Sequence, residues 1–258
     1  AQISQGHSAT NAELFVLDST GTVIWSAPLI STIASGPILT DIDGVAGPEL
    51  VVVSGNSAAH AFSLSGTLLS GFPLTFNLTP AGPWAELTAA NVDGIPGNEI
   101  FFGGNGIAFH MVNGTGAILW TANPLIPSAG GNGAEYAVIG DVTGDSQPEL
   151  VFKRNMCAID PATNNCYALI NSWYQVIYAQ NPLTGALIGG MFPIVTPSSG
   201  SNTTYLALTS LYSSNGIISA GSTALTNPLD IHYYTVPVTN LVPPWPEVYH
   251  DAHNSNTN

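Results

Sequence analysis

The sequence predicts an all-β protein, a β-propeller of about four blades with four antiparallel strands in each, and three observations lead there. A ten-residue acidic window returns at intervals of fifty residues, each interval divides into four short strand-like runs, and there is almost no helical periodicity between them. Four-stranded units of this size, with small residues at the tight places, are what propeller blades are made of.

The windows set the phase of everything else. They are Asp41-Ile42-Asp43-Gly44-Val45-Ala46-Gly47-Pro48-Glu49-Leu50, Asn91-Val92-Asp93-Gly94-Ile95-Pro96-Gly97-Asn98-Glu99-Ile100 and Asp141-Val142-Thr143-Gly144-Asp145-Ser146-Gln147-Pro148-Glu149-Leu150. Oxygen-bearing side chains stand at the first, third or fifth place, glycine at the fourth, and glutamate at the ninth, before an aliphatic of the buried kind. Asp, Asn and Gly form turns on their own account, so one such window is as much a turn as a site. Three in phase, holding Asp41, Asp43, Glu49, Asp93, Glu99, Asp141, Asp145 and Glu149 out of sixteen acidic residues in all, point to a hard cation. Calcium takes about six to eight oxygens and accepts carboxylates, amides and backbone carbonyls alike. The glutamate stands where the next strand begins, so cation binding and hairpin closure would be one event.

The strands follow in order. Residues 13–18 and 22–26 flank a Ser19-Thr20-Gly21 turn. In the first full unit, residues 37–40 enter the acidic window and 50–53 leave it, and 61–64, a Ser65-Gly66 turn and 67–69 make the second hairpin. The second unit closes with 109–112, the Asn113-Gly114-Thr115-Gly116 turn and 117–120. The third closes with 174–179, a turn over 181–185 and 186–188, after an insertion from Asn155 to about Trp173. A fourth unit has strands at 205–209 and 217–221, with residues 210–216 in the place of the acidic loop and no carboxylate among them, and 231–236 is a further strand. The propeller domain is placed at 1–244, ending in a proline-rich stretch, with 245–258 as a polar tail. Residues 13–26 look like the last two strands of a blade whose first two are missing. They complete the fourth unit within the chain or, if 231–236 already holds the third place there, a blade of a neighbouring subunit. A head-to-tail contact of the second kind that does not close produces a filament.

Composition narrows the partners. Lys153 and Arg154 are the only basic residues, the formal net charge is −14, and 7% of the chain is charged. Nucleic acid and anionic lipid both need a basic footprint, so neither is expected as a partner. No apolar run reaches the about 18 residues of a membrane span. A surface so poor in charge is expected to be covered by glycans or by neighbouring subunits. Asn77, Asn113 and Asn202 begin Asn-x-Ser/Thr sequons in loop-like contexts and are the candidate glycosylation sites. Cys157 and Cys166 bracket a stretch with Pro161 and two asparagines whose ends can meet, which makes them candidate disulfide partners in an extracellular chain; two buried thiols are the other reading.

At the acidic windows the sequence resembles the FG-GAP or VCBS repeats of integrin-α-like β-propellers, whose loop runs Asp-x-Asp/Asn-Gly-Asp-Gly-x-x-Asp/Glu-Leu/Ile. The resemblance covers residues 34–154, and the flanks by strand pattern only. It implies calcium in the hairpin between the first two strands of a blade. Carried onto this chain, Asp41, Asp43, Glu49 and the carbonyl of Val45 form one site. Asn91, Asp93, Glu99 and the carbonyl of Ile95 form a second, and Asp141, Asp145 and Glu149 with Thr143 a third. Val45 and Ile95 replace the family's fifth-place acid and Thr143 its third-place one, so each site lacks at least one charge. Trp245-Pro246-Glu247-Val248-Tyr249-His250-Asp251-Ala252-His253 resembles the Trp-Pro…His-Asp segment that ends secreted proteins with such repeats.

No catalytic constellation is expected. Nucleophile elbow, phosphate-binding loop and zinc-protease helix are missing from the sequence. His250, Asp251 and His253 form a tight group able to take a transition metal, beside a tail that reads as solvated. Glu86 and Glu135 precede two windows at nearly matching offsets and suit strand-end support better than acid/base work. Trp25 and Trp120 hold equivalent places in their hairpins and are expected to pack between blades. The expected function is that of a secreted, non-catalytic, calcium-stabilised propeller. It would serve as a structural or adhesive surface protein that assembles with copies of itself into an extracellular filament or layer. The alternative is a lectin-like carbohydrate-binding module of a larger secreted protein or enzyme, which an exposed aromatic platform would favour.

Overall fold

The computed structural model describes residues 2–6, 12–30, 35–54, 58–75, 87–104, 107–122, 134–157, 173–196, 202–211, 214–222 and 229–237, and every regular element among them is a β-strand. Strands β1 (Gln2–Gly6), β2 (Glu13–Leu17) and β3 (Val23–Pro28) form a first antiparallel sheet. The second holds β4 (Ile38–Thr40), β5 (Glu49–Ser54), β6 (Ala58–Phe62) and β7 (Leu74–Thr75). The third holds β8 (Leu87–Ala90), β9 (Glu99–Gly104), β10 (Ile107–Val112) and β11 (Ile118–Ala122). The fourth holds β12 (Ala134–Gly140), β13 (Glu149–Cys157), β14 (Trp173–Gln180) and β15 (Ile194–Thr196), and the fifth β16 (Asn202–Leu211), β17 (Ser214–Ser222) and β18 (Leu229–Thr235). In each sheet the strands pair in sequence order, the arrangement that short connections favour.

The fifty-residue period survives into the ladders. Leu39 pairs with Leu50, Ala89 with Ile100 and Ile139 with Leu150, so each acidic window spans the mouth of an equivalent hairpin. The strands that leave the windows read Leu-Val-Val, Ile-Phe-Phe and Leu-Val-Phe. All nine of these side chains are buried, as suits β-branched and aromatic runs covered on both faces. Alternation then sends one strand into two cores. Leu50 and Val52 pack with Leu14, Val16 and Ala27 of the first sheet, whereas Val51 and Val53 join Phe101, Phe102 and Phe109 of the third. Val151 likewise meets Leu206 and Ile217 of the fifth sheet while Phe152 lies 4.7 Å, centroid to centroid, from Phe109. The apolar core is thus a series of layers between successive sheets. The first strands β4, β8, β12 and β16 lie against one another in that order, as the inner strands of propeller blades do.

Three expectations change. Among the described residues five sheets stand where about four blades were expected, because Gln2–Gly6 pairs with β2 and gives the N-terminal strands a sheet of their own, while β18 takes the third place in the last sheet. Residues 67–69 and 186–188 make single bridges only, Phe62 to Leu68 and Gln180 to Leu187. The fourth strands of those sheets fall later, at β7 and β15, after turns at 70–71 and 190–191. Ladders also run further than local pattern suggested. β13 continues to Cys157 past the expected start of the insertion, and β16 and β17 extend to Leu211 and Ser214 because no acidic loop parts them. Among the described residues no helix is long and apolar enough to cross a membrane. Asn77, Glu86, Cys166 and the tail 245–258 lie outside the described residues, and with them the Cys157–Cys166 pairing.

Candidate metal centre

The 41–49 loop joins β4 to β5, and the pairing of Thr40 with Glu49 sets the first and ninth residues of the window side by side. The ring of backbone donors inside the loop is then filled by carboxylates. Ile42 N–H donates to Glu49 Oε2 at 2.9 Å, Gly44 N–H to Asp41 Oδ1 at 2.8 Å, and Val45 N–H to Asp43 Oδ1 at 2.8 Å. Each of Asp41, Asp43 and Glu49 keeps an oxygen within 4.8 Å of the others. The loop bends at Gly44, whose φ of 72° is open to glycine at no steric cost.

The 141–149 loop reaches the same result with a different set. Asp141, Asp145 and Glu149 have one oxygen each within 4.8 Å of one another. Thr143 does not replace the absent third-place acid. Its N–H lies 3.2 Å from both Asp141 Oδ1 and Glu149 Oε2, and its hydroxyl donates to Glu149 Oε1 at 3.3 Å, so it braces the glutamate while Asp145 supplies the charge. Gly144 and Ser146 donate their N–H groups to the two oxygens of Asp141.

The 91–99 loop is built alike and closed differently. Val92 N–H donates to Glu99 Oε2 at 2.9 Å and Ile95 N–H to Asp93 Oδ1 at 2.8 Å. Gly94 N–H donates to Asn91 Oδ1, which turns Asn91 Nδ2 toward the carbonyl of Ile95, and the amide donates to it. The carbonyl that would face a cation is thereby taken by an N–H. With Asn91 in the first place, this loop offers a cation two carboxylates where each of the others gathers three. Val45 and Ile95, which replace the fifth-place acid, are 66% and 63% exposed at the loop tips.

The three glutamates carry the electrostatics. Glu49, Glu99 and Glu149 are 7%, 4% and 3% exposed. Burial pushes each above the ordinary value of 4.5, against the pull of the N–H each accepts; Asp43 and Asp41 reinforce the rise at Glu49, Asp93 at Glu99, and Asp145 and Asp141 at Glu149. The chain offers little to neutralise them. Of its two basic residues, Lys153 is buried and donates from Nζ to Ser219 Oγ at 2.7 Å. A buried carboxylate gathered with two more is a set of oxygen donors that would suit a hard divalent cation. The 41–49 and 141–149 loops pass this test.

Other predicted residues fall around these loops. Asn113 holds its hairpin turn, its Oδ1 accepting from Thr115 N–H, Thr115 Oγ1 and Ala117 N–H, and Asp18 and Asn181 do the same in the first and fourth sheets. Asn202 begins β16. Trp25 and Trp120 do pack between sheets, and their indole N–H groups donate to Leu64 O at 2.9 Å and Pro182 O at 2.7 Å. Sequence reading passed over Asn98. It stands where the other windows have Pro48 and Pro148, and that departure was the available signal. Its N–H donates to Asp41 O at 2.7 Å and its Nδ2 to Thr40 Oγ1 at 2.8 Å, across to the preceding sheet.

No protein-family model matches the chain, and no curated protein does. Among solved structures it is similar to the crystal structure of the V. cholerae biofilm matrix protein Bap1, at 15% identity and a TM-score of 0.43 over 89% of this chain and 37% of that one. It is similar also to the structure of the Dos1 propeller, at 15% identity and a TM-score of 0.44 over 90% of this chain and 57% of that one. The chain spans less than two thirds of either.

Proposed function

We propose that the chain is a non-catalytic, calcium-stabilised β-propeller that serves outside the cell as a structural or adhesive protein and assembles with copies of itself into a filament or layer. The observation that carries the calcium reading is the pair of hairpin mouths, on the second and fourth sheets, that each collect three carboxylates around a buried glutamate. Asp41, Asp43 and Glu49 would hold one ion and Asp141, Asp145 and Glu149 another. The ion supplies positive charge to a buried acidic cluster and ties the loop to the start of the following strand.

Self-assembly draws support from the sheet edges. Edge strands of soluble proteins are commonly guarded by lysine, by proline or by inward-pointing charge. Here β11 ends its sheet with Ile118 and Leu119 exposed and holds no lysine, proline or charged residue, whereas β3, with Val23 and Ile24 exposed, closes on Pro28, and β18, with Ile231 exposed, carries Asp230. The glycan-binding alternative gains no such support from Phe15, Trp25 and Trp120, which are each part-buried. Negative-stain electron microscopy of the purified chain, with calcium and after EGTA, tests the whole reading. Filaments or sheets that fray on chelation are expected; discrete particles under both conditions would sink the assembly.

A further inference from the structure

The 41–49 loop is held from the next sheet as well as from its own. Asn98, buried at the foot of β9, bonds both Asp41 O and Thr40 Oγ1. The backbones pack so closely around it that side chains are excluded. A Cβ on Gly44 would stand 2.7 Å from Pro96 O, and one on Gly114, in the β10–β11 turn, 1.8 Å from Ile42 O. Among the described residues the 91–99 loop has no matching clamp from the sheet that follows it. A Cβ on Gly94, the counterpart of Gly44, meets nothing within 4 Å, and Pro148, the counterpart of Asn98, has no N–H to donate.

The geometry points to Asn98 as a positioning residue for a cation in the 41–49 loop, and to that loop as a calcium-dependent clamp between the second and third sheets. The inference rests on the calcium reading above. Asp41 offers one of the three carboxylates, and its backbone carbonyl is fixed by Asn98 N–H. Glu49 offers another, and its ladder partner Thr40 is fixed by Asn98 Nδ2. Two members of the set are therefore placed by a residue that touches no ion itself. Such outer partners are typically worth about 10–100-fold in metal affinity. Coupling is reciprocal, so whatever sheet docking adds to calcium binding, calcium returns to sheet docking.

The test uses the full chain with Asp141→Asn and Asp145→Asn, which leaves the 41–49 loop as the one three-carboxylate loop, and titrates it with Ca²⁺ by calorimetry. In that background Asn98→Ala is expected to lower calcium affinity about tenfold or more. Asn98→Pro, which the other two windows tolerate at this place, should do at least as much. Amide exchange at Asn98 N–H should slow on adding calcium and lose that response with Asp43→Asn. Unchanged affinity in both Asn98 variants, with binding abolished by Asp43→Asn, would overturn the clamp and leave the calcium site standing. A background chain that binds no calcium, or binds it regardless of Asp43→Asn, overturns clamp and site together. Should Asn98→Pro not fold, Asn98→Ala and the exchange of the Asn98 amide decide the question.

Discussion

Apolar side chains fill both joints, but between the first and second sheets a tryptophan is added to that core, whereas between the second and third it is close backbone contact that is added. In the former, Trp25 lies over the following hairpin, with its indole on Leu64 O and its ring 2.8 Å from where a Cβ on Gly66 would be. The third and fourth sheets repeat the device through Trp120 and Pro182 O. At the joint between them Ser70 stands in the tryptophan's place. There Gly114 presses on Ile42, and a Cβ on Gly71 would meet Thr115 O at 2.0 Å. A repeat of fifty residues thus conceals an alternation of two kinds of contact. The tryptophan joints depend on packing and one hydrogen bond, and should be indifferent to ions. The backbone joint contains an acidic loop, and should not be.

The largest expected effect comes from wedging the backbone joint. Gly114→Val should cost more than about 3 kcal/mol in urea unfolding, since Ile42 O cannot move without breaking the loop. Gly94→Ala, in open space at a φ of 76°, should cost only about 1 kcal/mol of backbone strain. Equal losses in the two would show that close approach is not what holds the second sheet to the third.

Calcium comes next. Each occupied loop should add about 2.7 kcal/mol at a free concentration one hundred times its Kd. Calorimetry should find two ions per chain, one after Asp43→Asn, and three after Asn91→Asp, which turns the inward amide of the 91–99 loop into a carboxylate. A stoichiometry of two that survives Asp43→Asn would remove the assignment.

That calcium increment should shrink as pH falls from 7 toward the glutamates' ordinary value of 4.5. In chelated protein the raised Glu49 and Glu149 contribute stability below 4.5 and lose it as pH rises through their higher folded values. Calcium takes the ionised form and so reverses the sign. His60 acts in both states. Burial holds its imidazole down to about 4, so its share of stability is lost as pH falls from 6.5 toward that value. Subtracting thermal unfolding curves with and without calcium cancels it. An increment that is flat with pH would separate the buried glutamates from ion binding.

The smallest effect sharpens the other side of the comparison. Trp25→Phe keeps most of the ring contact and removes the indole N–H, for about 1 kcal/mol. The loss should be the same with calcium and with EGTA. A calcium-dependent loss would mean that the two kinds of joint are coupled.

Much of the candidate centre was legible before the structure, because its chemistry is local. Asp, Gly and Glu at fixed offsets within ten residues specify a hairpin mouth, and the aliphatic or aromatic run after each glutamate specifies the buried strand that follows. The inequality of the three loops was harder to see. It turns on Asn91, whose amide reaches Ile95 O only once the loop has closed, and on Asp145, which makes up for Thr143 only because the loop folds both toward Glu149. Asn98 carried a faint mark in the sequence, an asparagine between two prolines of the same phase, but its partners are 57 and 58 residues away, as 98 − 41 and 98 − 40.

By itself the sequence determined the period, the hairpin turns and most of the strands that flank them, since each depends on neighbours within a few residues: β-branched runs, Asx turns, glycines at the bends. The number of sheets, the late fourth strands of the second and fourth, and the alternation of tryptophan with backbone joints were decided only by the tertiary structure. Each of those depends on how close one sheet comes to the next. That distance is set by pairs such as Gly114 with Ile42 and Trp25 with Leu64, whose members lie tens of residues apart in the chain.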